Sequence, residues 1–152
     1  MERRRSQIAT AGIDCVTSAT LSVGTTGKGF TDITPDVVRF LAESSAGDGQ
    51  ATAFIRHTSA SLTIQENADP DVLADLATLL DRLAPEGGWR HEMEGPDDMP
   101  AHIKSMLTAT SLQIPVVEGK LALGQWQGIY VIEHRQRPSR REIVLQFIGS
   151  RR

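Results

Sequence analysis

The sequence predicts an α+β fold in which a mostly antiparallel β-sheet core carries two main helices and one short helix. Two observations predict it. Two proline-marked helix starts each precede apolar residues at helical spacing, and short β-like runs fill much of the remaining chain. The 152 residues suffice for one domain with its own hydrophobic core. We therefore expect residues 1–13 to be a flexible leader and residues 14–152 to be a single domain.

The first third of the chain predicts one strand and one helix. The run "DCVTSATLSV", residues 14–23, is rich in Val and Thr, which is typical of a strand, and "GTTGKGF" follows as a turn or loop. Thr34 then offers a hydroxyl N-cap, with Pro35 in the first helical position. The helix is predicted to end at "SSAGDGQ".

The middle of the chain predicts paired strands and the second helix. "ATAFIRHTS" and "SLTIQE" read as two short strands or one bent strand. Asp69 followed by Pro70 repeats the helix-start signal, and leucines at helical spacing continue to "APEGG". This stretch predicts a long amphipathic helix.

A loop and a series of strands are predicted for the remainder. Residues 85–99 have no periodicity and five acids, and a loop of this length is usually functional or disordered. Asp98 is predicted to cap the short helix that follows it. Beyond it come the β-like runs "LQIPVV", "KLALGQW", "GIYVIEHR" and "EIVLQFI", with Glu118-Gly119 as a hairpin turn between the first two.

Composition excludes several classes of protein. Sixteen basic and nineteen acidic residues give a net charge of −3, which argues against a general nucleic-acid binder. No apolar run approaches the length of a membrane span. The single cysteine, Cys15, excludes an internal disulfide framework. We therefore expect a cytoplasmic protein with neither nucleic acid nor membrane as its partner.

Histidines and acids supply the candidate chemistry. Each of the four histidines lies in or beside a polar cluster and could bind a metal or carry a proton, although a lone histidine is more often structural. Five acids in the polar clusters could hold Mg²⁺: Glu66, Asp69, Glu94, Asp97 and Asp98. Solvated loop acids or helix caps are the alternative for Asp71 and Asp98. Glu133 and Arg135 share a strand face, which suits an acid buttressed by a cation.

Two further features are candidates for ligand contacts. Trp126 offers a flat face to a heterocycle, with an ordinary core tryptophan as the alternative. A cluster of arginines is a candidate phosphate contact: Arg135, Arg137, Arg140 and Arg141. The sequence contains no cysteine pair, HExxH pair, GxxxxGK[ST] loop or GxGxxG fingerprint.

Three long segments together resemble one family. "HTSASLTIQENADPDV" at 57, "HEMEGPDDMPAHIKS" at 91 and "LALGQWQGIYVIEHR" at 121 are similar, in order and spacing, to the YjbQ-type family, described as secondary thiamine-phosphate synthases. The match covers about residues 15–149. The resemblance implies a homotrimer with its polar clusters in a cleft near a subunit interface. It also implies an enzyme that joins an aminopyrimidine diphosphate to a thiazole phosphate and releases pyrophosphate.

The resemblance and the residue types together assign roles, each as an expectation. The predicted catalytic residues are His57, His102, Glu133 and Arg135. The predicted substrate-binding residues are Asn67, Lys104, Ser105, Trp126 and Gln127. The predicted metal ligands are His91, Glu94, Asp97, Glu66 and Asp69. The expected cofactor is a divalent metal, Mg²⁺ first with zinc or manganese as alternatives, and the expected substrate is a phosphorylated small molecule.

Two other functions fit the same residues. The first is a metal-dependent hydrolase of phosphorylated small molecules, because three histidines (His57, His91 and His102) with carboxylates suit zinc, manganese or iron better than magnesium. The second is a non-catalytic trimer that binds a phosphorylated metabolite.

Overall fold

The structure, a computed structural model, describes all residues from Met1 to Arg152. Three helices and eight strands form one α+β domain, which confirms the predicted fold class. The strands are β1 (Cys15–Thr25), β2 (Gly29–Asp32), β3 (Ala46–Ile55), β4 (Ala60–Glu66), β5 (Ser111–Val117), β6 (Lys120–Leu121), β7 (Gln127–Glu133) and β8 (Ser139–Arg151). The helices are α1 (Thr34–Glu43), α2 (Pro70–Leu83) and α3 (Asp98–Leu107).

The strands form two antiparallel sheets. The five-stranded sheet has the order β1-β8-β3-β5-β6, and the three-stranded sheet has the order β2-β7-β4. The segments predicted as two strands or one bent strand are two strands, β3 and β4, in different sheets. Residues 56–59 therefore carry the chain from one sheet to the other, and His57 lies in this crossing.

The hydrophobic core lies between the sheets and α1. It is built from alternate residues of the strands, such as Ile143, Leu145 and Phe147 in β8, together with Val37 and Leu41 of α1. Each fully buried aliphatic or aromatic side chain contributes roughly 1.5–3 kcal/mol relative to exposure. The polar candidates lie at the edges of this core.

The two proline-marked helices begin differently. Asp69 caps α2 as predicted, since its Oδ1 accepts a hydrogen bond from the Asp71 N–H at 2.9 Å. The prediction that Thr34 caps α1 is wrong, because α1 already includes Thr34 and Asp32 Oδ1 accepts its N–H at 2.8 Å. The Thr34 hydroxyl instead accepts the Ile129 N–H at 2.8 Å, which ties α1 to β7.

Other boundaries also differ in detail. α3 begins at Asp98 itself, so the prediction that Asp98 caps this helix is wrong. The predicted "GTTGKGF" loop contains the end of β1 and the start of β2. The Glu118-Gly119 hairpin is confirmed: both residues have positive φ, 52° and 77°, and Val117 pairs with Lys120.

The structure assigns no helix or strand to residues 1–14. None of its helices is long and apolar enough to cross a membrane.

Candidate functional site

Two histidines converge on one buried carboxylate. Asp98 and His102 are four residues apart in α3 and so lie on one helix face, while His91 comes from the preceding loop. Asp98 Oδ2 is 2.6 Å from His91 Nε2 and 3.1 Å from His102 Nε2. The three donor atoms lie within 4.8 Å of one another, which is compatible with one metal ion.

A hydrogen bond on the side of the His102 ring that faces away from Asp98 shows which ring nitrogen carries a proton. His102 Nδ1 lies 2.7 Å from the Thr58 carbonyl oxygen, which can only accept, so Nδ1 carries the proton. In a neutral imidazole, Nε2 then presents a lone pair, and it faces the carboxylate of Asp98. Two lone pairs at this distance repel each other unless a proton or a cation lies between them. A carbonyl partner of this kind is usual for histidines that bind metals.

Arg135 supports Asp98 from behind. Its guanidinium donates to Asp98 Oδ1, to Asp97 Oδ2 at 3.1 Å and to the Glu94 carbonyl at 2.7 Å. Burial would raise the pKa of Asp98, but the His91 hydrogen bond and the charges of His102 and Arg135 together lower it. Asp98 is therefore an ionised, buried carboxylate with one oxygen facing the histidines.

Asp98 was among the acids that could hold Mg²⁺ but was not included among the predicted metal ligands, and the structure adds it to them as a candidate. Its alternative interpretation as a solvated or capping acid is wrong, because only 4 % of its surface is exposed. The signal was present in the spacing: Asp98 and His102 stand four apart in a helix that was itself predicted.

Glu133 has a different partner from the one predicted. The side chain of Arg135 turns to the Asp97–Asp98 pair, so it does not buttress Glu133, and only its N–H reaches Glu133 Oε2, at 3.1 Å. Arg141 binds both oxygens of Glu133, at 2.5 and 2.8 Å, and Thr25 donates to Oε1 at 2.6 Å. Burial would raise the pKa of Glu133, but the hydrogen bonds from Arg141 and Thr25 lower it. Neither charge of this buried pair is free for a substrate.

His57 and His102 line the same shallow groove, together with Ser105, Met106 and Thr110. His57 Nε2 accepts the Glu142 N–H at 2.9 Å, and its Nδ1 lies 3.4 Å from Arg141. Burial and the charge of Arg141 lower the pKa of His57, so the ring is neutral near pH 7. The Ser105 hydroxyl donates to the Ala60 carbonyl at 3.1 Å and is buried. Of the two histidines in this groove, His102 is the one whose ring nitrogen faces Asp98.

Five candidates lie at the far end of the three-stranded sheet. The β4–β7 register pairs Ala60 with Glu133 and Glu66 with Gln127, so six residues separate the two ends. Six residues of strand span about 20 Å. Within one chain the site implied by the resemblance is therefore divided into two groups. The far group comprises Glu66, Asn67, Asp69, Trp126 and Gln127.

The hydrogen bonds of the far group are local. Glu66 Oε2 accepts the Asp69 N–H at 3.1 Å, and Asn67 Nδ2 is 3.4 Å from the Gln125 carbonyl. Gln127 Oε1 accepts the Gly124 N–H at 2.8 Å. Trp126 is exposed, so the alternative of a core tryptophan is wrong. The roles predicted for this group in substrate and metal binding stay predictions.

The residues predicted as metal ligands therefore do not form one site within the chain. His91 belongs to the three-donor cluster. Asp97 is paired with Arg135 and with the Gln136 N–H, and Glu94 contributes its backbone carbonyl while its side chain is exposed. Glu66 and Asp69 lie in the far group. The two-histidine, one-carboxylate cluster is the place where the chain gathers metal-binding atoms.

Lys104 and the buried His134 lie away from this cluster. Lys104 contacts Asp81 of α2 at 2.6 Å, and His134 Nε2 is 2.8 Å from the Ser61 hydroxyl. Burial and the nearby Lys104 charge lower the pKa of His134 to about 4. Both side chains line a second cavity, between α2, α3 and β7.

Known proteins resemble the chain over most of its length. Residues 19–150 match the model of a family described as "UPF0047 protein YjbQ-like". A UPF0047 protein of Synechocystis is 51 % identical over 131 residues, which are 85 % of this chain and 89 % of that protein. The UPF0047 protein YjbQ of Escherichia coli O157:H7 is 39 % identical over 132 residues, 86 % of this chain and 96 % of that protein.

Solved structures agree with the fold. A YjbQ/UPF0047 family protein from Clostridium acetobutylicum has a TM-score of 0.79 at 41 % identity and is similar over 85 % of this chain and 98 % of its own. A hypothetical protein from Aeropyrum pernix has a TM-score of 0.81 at 27 % identity, over 88 % of this chain and 99 % of its own. None of these four names includes a reaction, so any reaction must be inferred from the site.

Proposed function

This chain belongs to the YjbQ-like UPF0047 family, and we propose that it is a metal-dependent enzyme acting on phosphorylated small molecules. His91, Asp98 and His102 would hold the metal. The observation that carries the proposal is the convergence of three donor atoms, from His91, Asp98 and His102, within 4.8 Å of one another. The Thr58 carbonyl orients the His102 ring so that its Nε2 faces Asp98.

The donor set favours a transition metal. Two imidazoles and one carboxylate are typical ligands for zinc, manganese or iron, whereas magnesium prefers oxygen ligands and water. A metal in such a site supplies an activated water and polarises a phosphoryl oxygen. The chain's own groups orient the ligands: Thr58 fixes the His102 ring, and Arg135 fixes the Asp98 carboxylate. His91 lies on the exposed side, where a substrate can approach.

Metal binding tests the centre directly. Purified protein should bind zinc or manganese at one site per chain, and Asp98→Asn should weaken that binding by about 100-fold, because the charged ligand is lost. His57→Gln is the matched control, since His57 lies outside the three-donor cluster. Metal content by mass spectrometry and competition titration give the readout. Equal affinity in the wild type and in Asp98→Asn would refute the centre.

Hydrolysis is the reaction that this geometry supports best. We expect the metal-loaded protein to release phosphate from some members of a panel of phosphate monoesters and diphosphates, and we expect chelation to abolish the activity. Arg135 and Arg141 both bind buried carboxylates, so the metal must neutralise the negative charge of the substrate's phosphate group. Metal binding with no turnover on any panel member would instead indicate the non-catalytic, metabolite-binding function.

Thiamine phosphate formation is the second candidate. It is supported by the resemblance and by the groove that His57 and His102 share, which places a second histidine beside the cluster. The assay mixes the aminopyrimidine diphosphate with the thiazole phosphate and Mg²⁺, and compares wild type with His57→Ala. Product formation that requires His57 would favour the transferase, and its absence alongside phosphatase activity would favour the hydrolase.

A further inference from the structure

A second polar cavity lies on the opposite side of α3 from the metal-binding cluster. It has a volume of about 240 Å³ and is enclosed by α2, α3 and the β2–β7 pair. Lys28, Asp81, Lys104 and His134 form its polar wall, and Phe30 and Leu80 contribute to its apolar wall. His102 and Lys104 are two residues apart on the same helix, so their side chains point in opposite directions.

The charge of this cavity is unbalanced. Lys104 Nζ lies 2.6 Å from Asp81 Oδ1, and Lys28 Nζ lies 3.0 and 3.2 Å from the two oxygens of the same carboxylate. Two ammonium groups therefore share one carboxylate, which leaves one net positive charge among the residues that line this cavity. The exposed Glu86 borders the adjoining pocket, which shares both lysines. Glu133 also borders the cavity, but Arg141 already neutralises it. A bound anion would neutralise this charge.

Two buried groups in the wall have unused hydrogen-bonding capacity. Only 6 % of the Lys104 side chain is exposed, and its ammonium has three N–H groups with a single acceptor in the protein. His134 is also buried and binds Ser61 through Nε2, while its Nδ1 has no protein partner. Either tautomer leaves Nδ1 able to make one hydrogen bond. Both groups line the cavity, so a polar ligand there can satisfy them.

We propose that this cavity binds the phosphate group of an organic phosphate. Lys28 and Lys104 contact the phosphate oxygens, His134 makes a further hydrogen bond, and the organic portion packs on Phe30 and Leu80. Ammonium groups are common phosphate ligands, and burial strengthens their attraction for an anion. None of the three residues of the metal-binding cluster lines this cavity, so the two sites can be tested with different variants.

The test is a titration with inorganic phosphate and pyrophosphate, followed by calorimetry and phosphorus NMR in the presence of a chelator. Lys28→Met should weaken binding by about tenfold, through loss of a charge-assisted contact. Lys120→Met is the matched control, because Lys120 is an exposed lysine on β6 outside the cavity, and it should bind as the wild type does.

Asp81→Asn gives a prediction of the opposite sign. It removes the carboxylate that competes with the ligand, so phosphate should bind about threefold more tightly. A purely structural ion pair would instead give lower stability with no gain in affinity. Unchanged binding in Lys28→Met, or weaker binding in Asp81→Asn, would overturn the proposal. Asp98→Asn should leave this binding intact, which separates the cavity from the metal centre.

Discussion

Buried ionic groups in this protein are all paired, and each pair joins two different structural elements or loops. Glu133 binds Arg141, Asp98 binds Arg135, and Lys104 binds Asp81. Burying a charge without a partner would cost several kcal/mol, so each pair holds its strands and helices in one arrangement. His134 lies among these charges and is a buried histidine that remains neutral.

The neutral state of His134 predicts how stability depends on pH. Its pKa falls from 6.5 to about 4 on folding, through burial first and then the charge of Lys104. A histidine with a depressed folded pKa contributes its full stability above pH 6.5 and loses it as the pH falls toward 4. The free energy of unfolding should therefore drop by about 3 kcal/mol across this range. Urea titrations at several pH values measure the drop.

The variant His134→Asn separates this effect from others. It should be less stable than the wild type near neutral pH but should show a flatter pH dependence. His57 acts in the same direction, because its pKa is also lowered. Carboxylates with lowered pKa values, such as Glu133 and Asp98, also stabilise the fold, but this contribution is lost only at lower pH. If the free energy of unfolding of His134→Asn fell as steeply with pH as that of the wild type, His134 would not be the cause of the pH dependence.

The sequence predicted the histidines of the site better than their partners. His91 and His102 were predicted from residue type and from the resemblance, and both belong to the cluster. The partners of Asp98 and Arg141 were not predicted, because burial and side-chain direction depend on contacts across the fold. Arg135, for example, reaches Asp98 from 37 residues along the chain. The four-residue spacing places Asp98 beside His102, but nothing local shows that Arg135 will bury this carboxylate.

At the scale of elements, two glycines allow β3 and β8 to pass closely. Gly49 and Gly149 face each other in the register, and a Cβ on Gly149 would lie 2.2 Å from the Asp48 carbonyl oxygen. A Cβ on Gly49 would lie 2.1 Å from the Ile148 carbonyl oxygen. The register shifts at this point of the ladder, between Ala46 and Gly49. Both glycines are therefore required by close approach of the backbones.

Gly149→Ala should destabilise the protein by about 2 kcal/mol or more, because backbone atoms must move to admit the methyl group. Gly24→Ala in β1 is the matched control, since nothing lies within 4 Å of a Cβ there, and its stability should be close to that of the wild type. Thermal and urea unfolding of both variants provide the comparison. A Gly149→Ala protein as stable as Gly24→Ala would show that the ladder can widen freely.

Element types were predicted more accurately than element ends. The amphipathic spacing of α2 and its Asp69 cap are local features, and both are confirmed. The start of α1 was misplaced because the Thr34 hydroxyl binds β7, a partner 95 residues away. β2 was missed because its four residues gain strand structure only by pairing with β7. Predictions failed where a distant neighbour decides the conformation.

At the scale of the whole molecule, α2 is amphipathic yet has no buried residue. Leu79 and Leu83 are 48 % and 56 % exposed, and they lie one turn apart on the helix. Trp126 is also exposed. Exposed apolar surface of this kind marks an interaction site when it is contiguous. A subunit contact through α2 would bury Leu79 and Leu83, and the resemblance implies that such contacts build a homotrimer.

We therefore propose that the protein is a homotrimer whose contacts include α2. Light scattering should give three times the chain mass of 16.6 kDa. Leu79→Glu should lower that mass, because it would bury a charge in the contact. Ala74→Glu is the control: it adds the same charge at an exposed position on another face of α2. A monomeric wild type, or identical masses for both variants, would argue against this arrangement.

The position of β8 between β1 and β3 has a consequence for synthesis on the ribosome. Eleven residues of β1 pair with β8, and six strands and three helices lie between them along the chain. β1 therefore waits for β8 to be synthesised, and at roughly 5–20 residues per second the wait is several seconds or more. Until then β1 and β3 lack the neighbour that joins them. The nascent chain can complete its larger sheet only after β8 has left the ribosome.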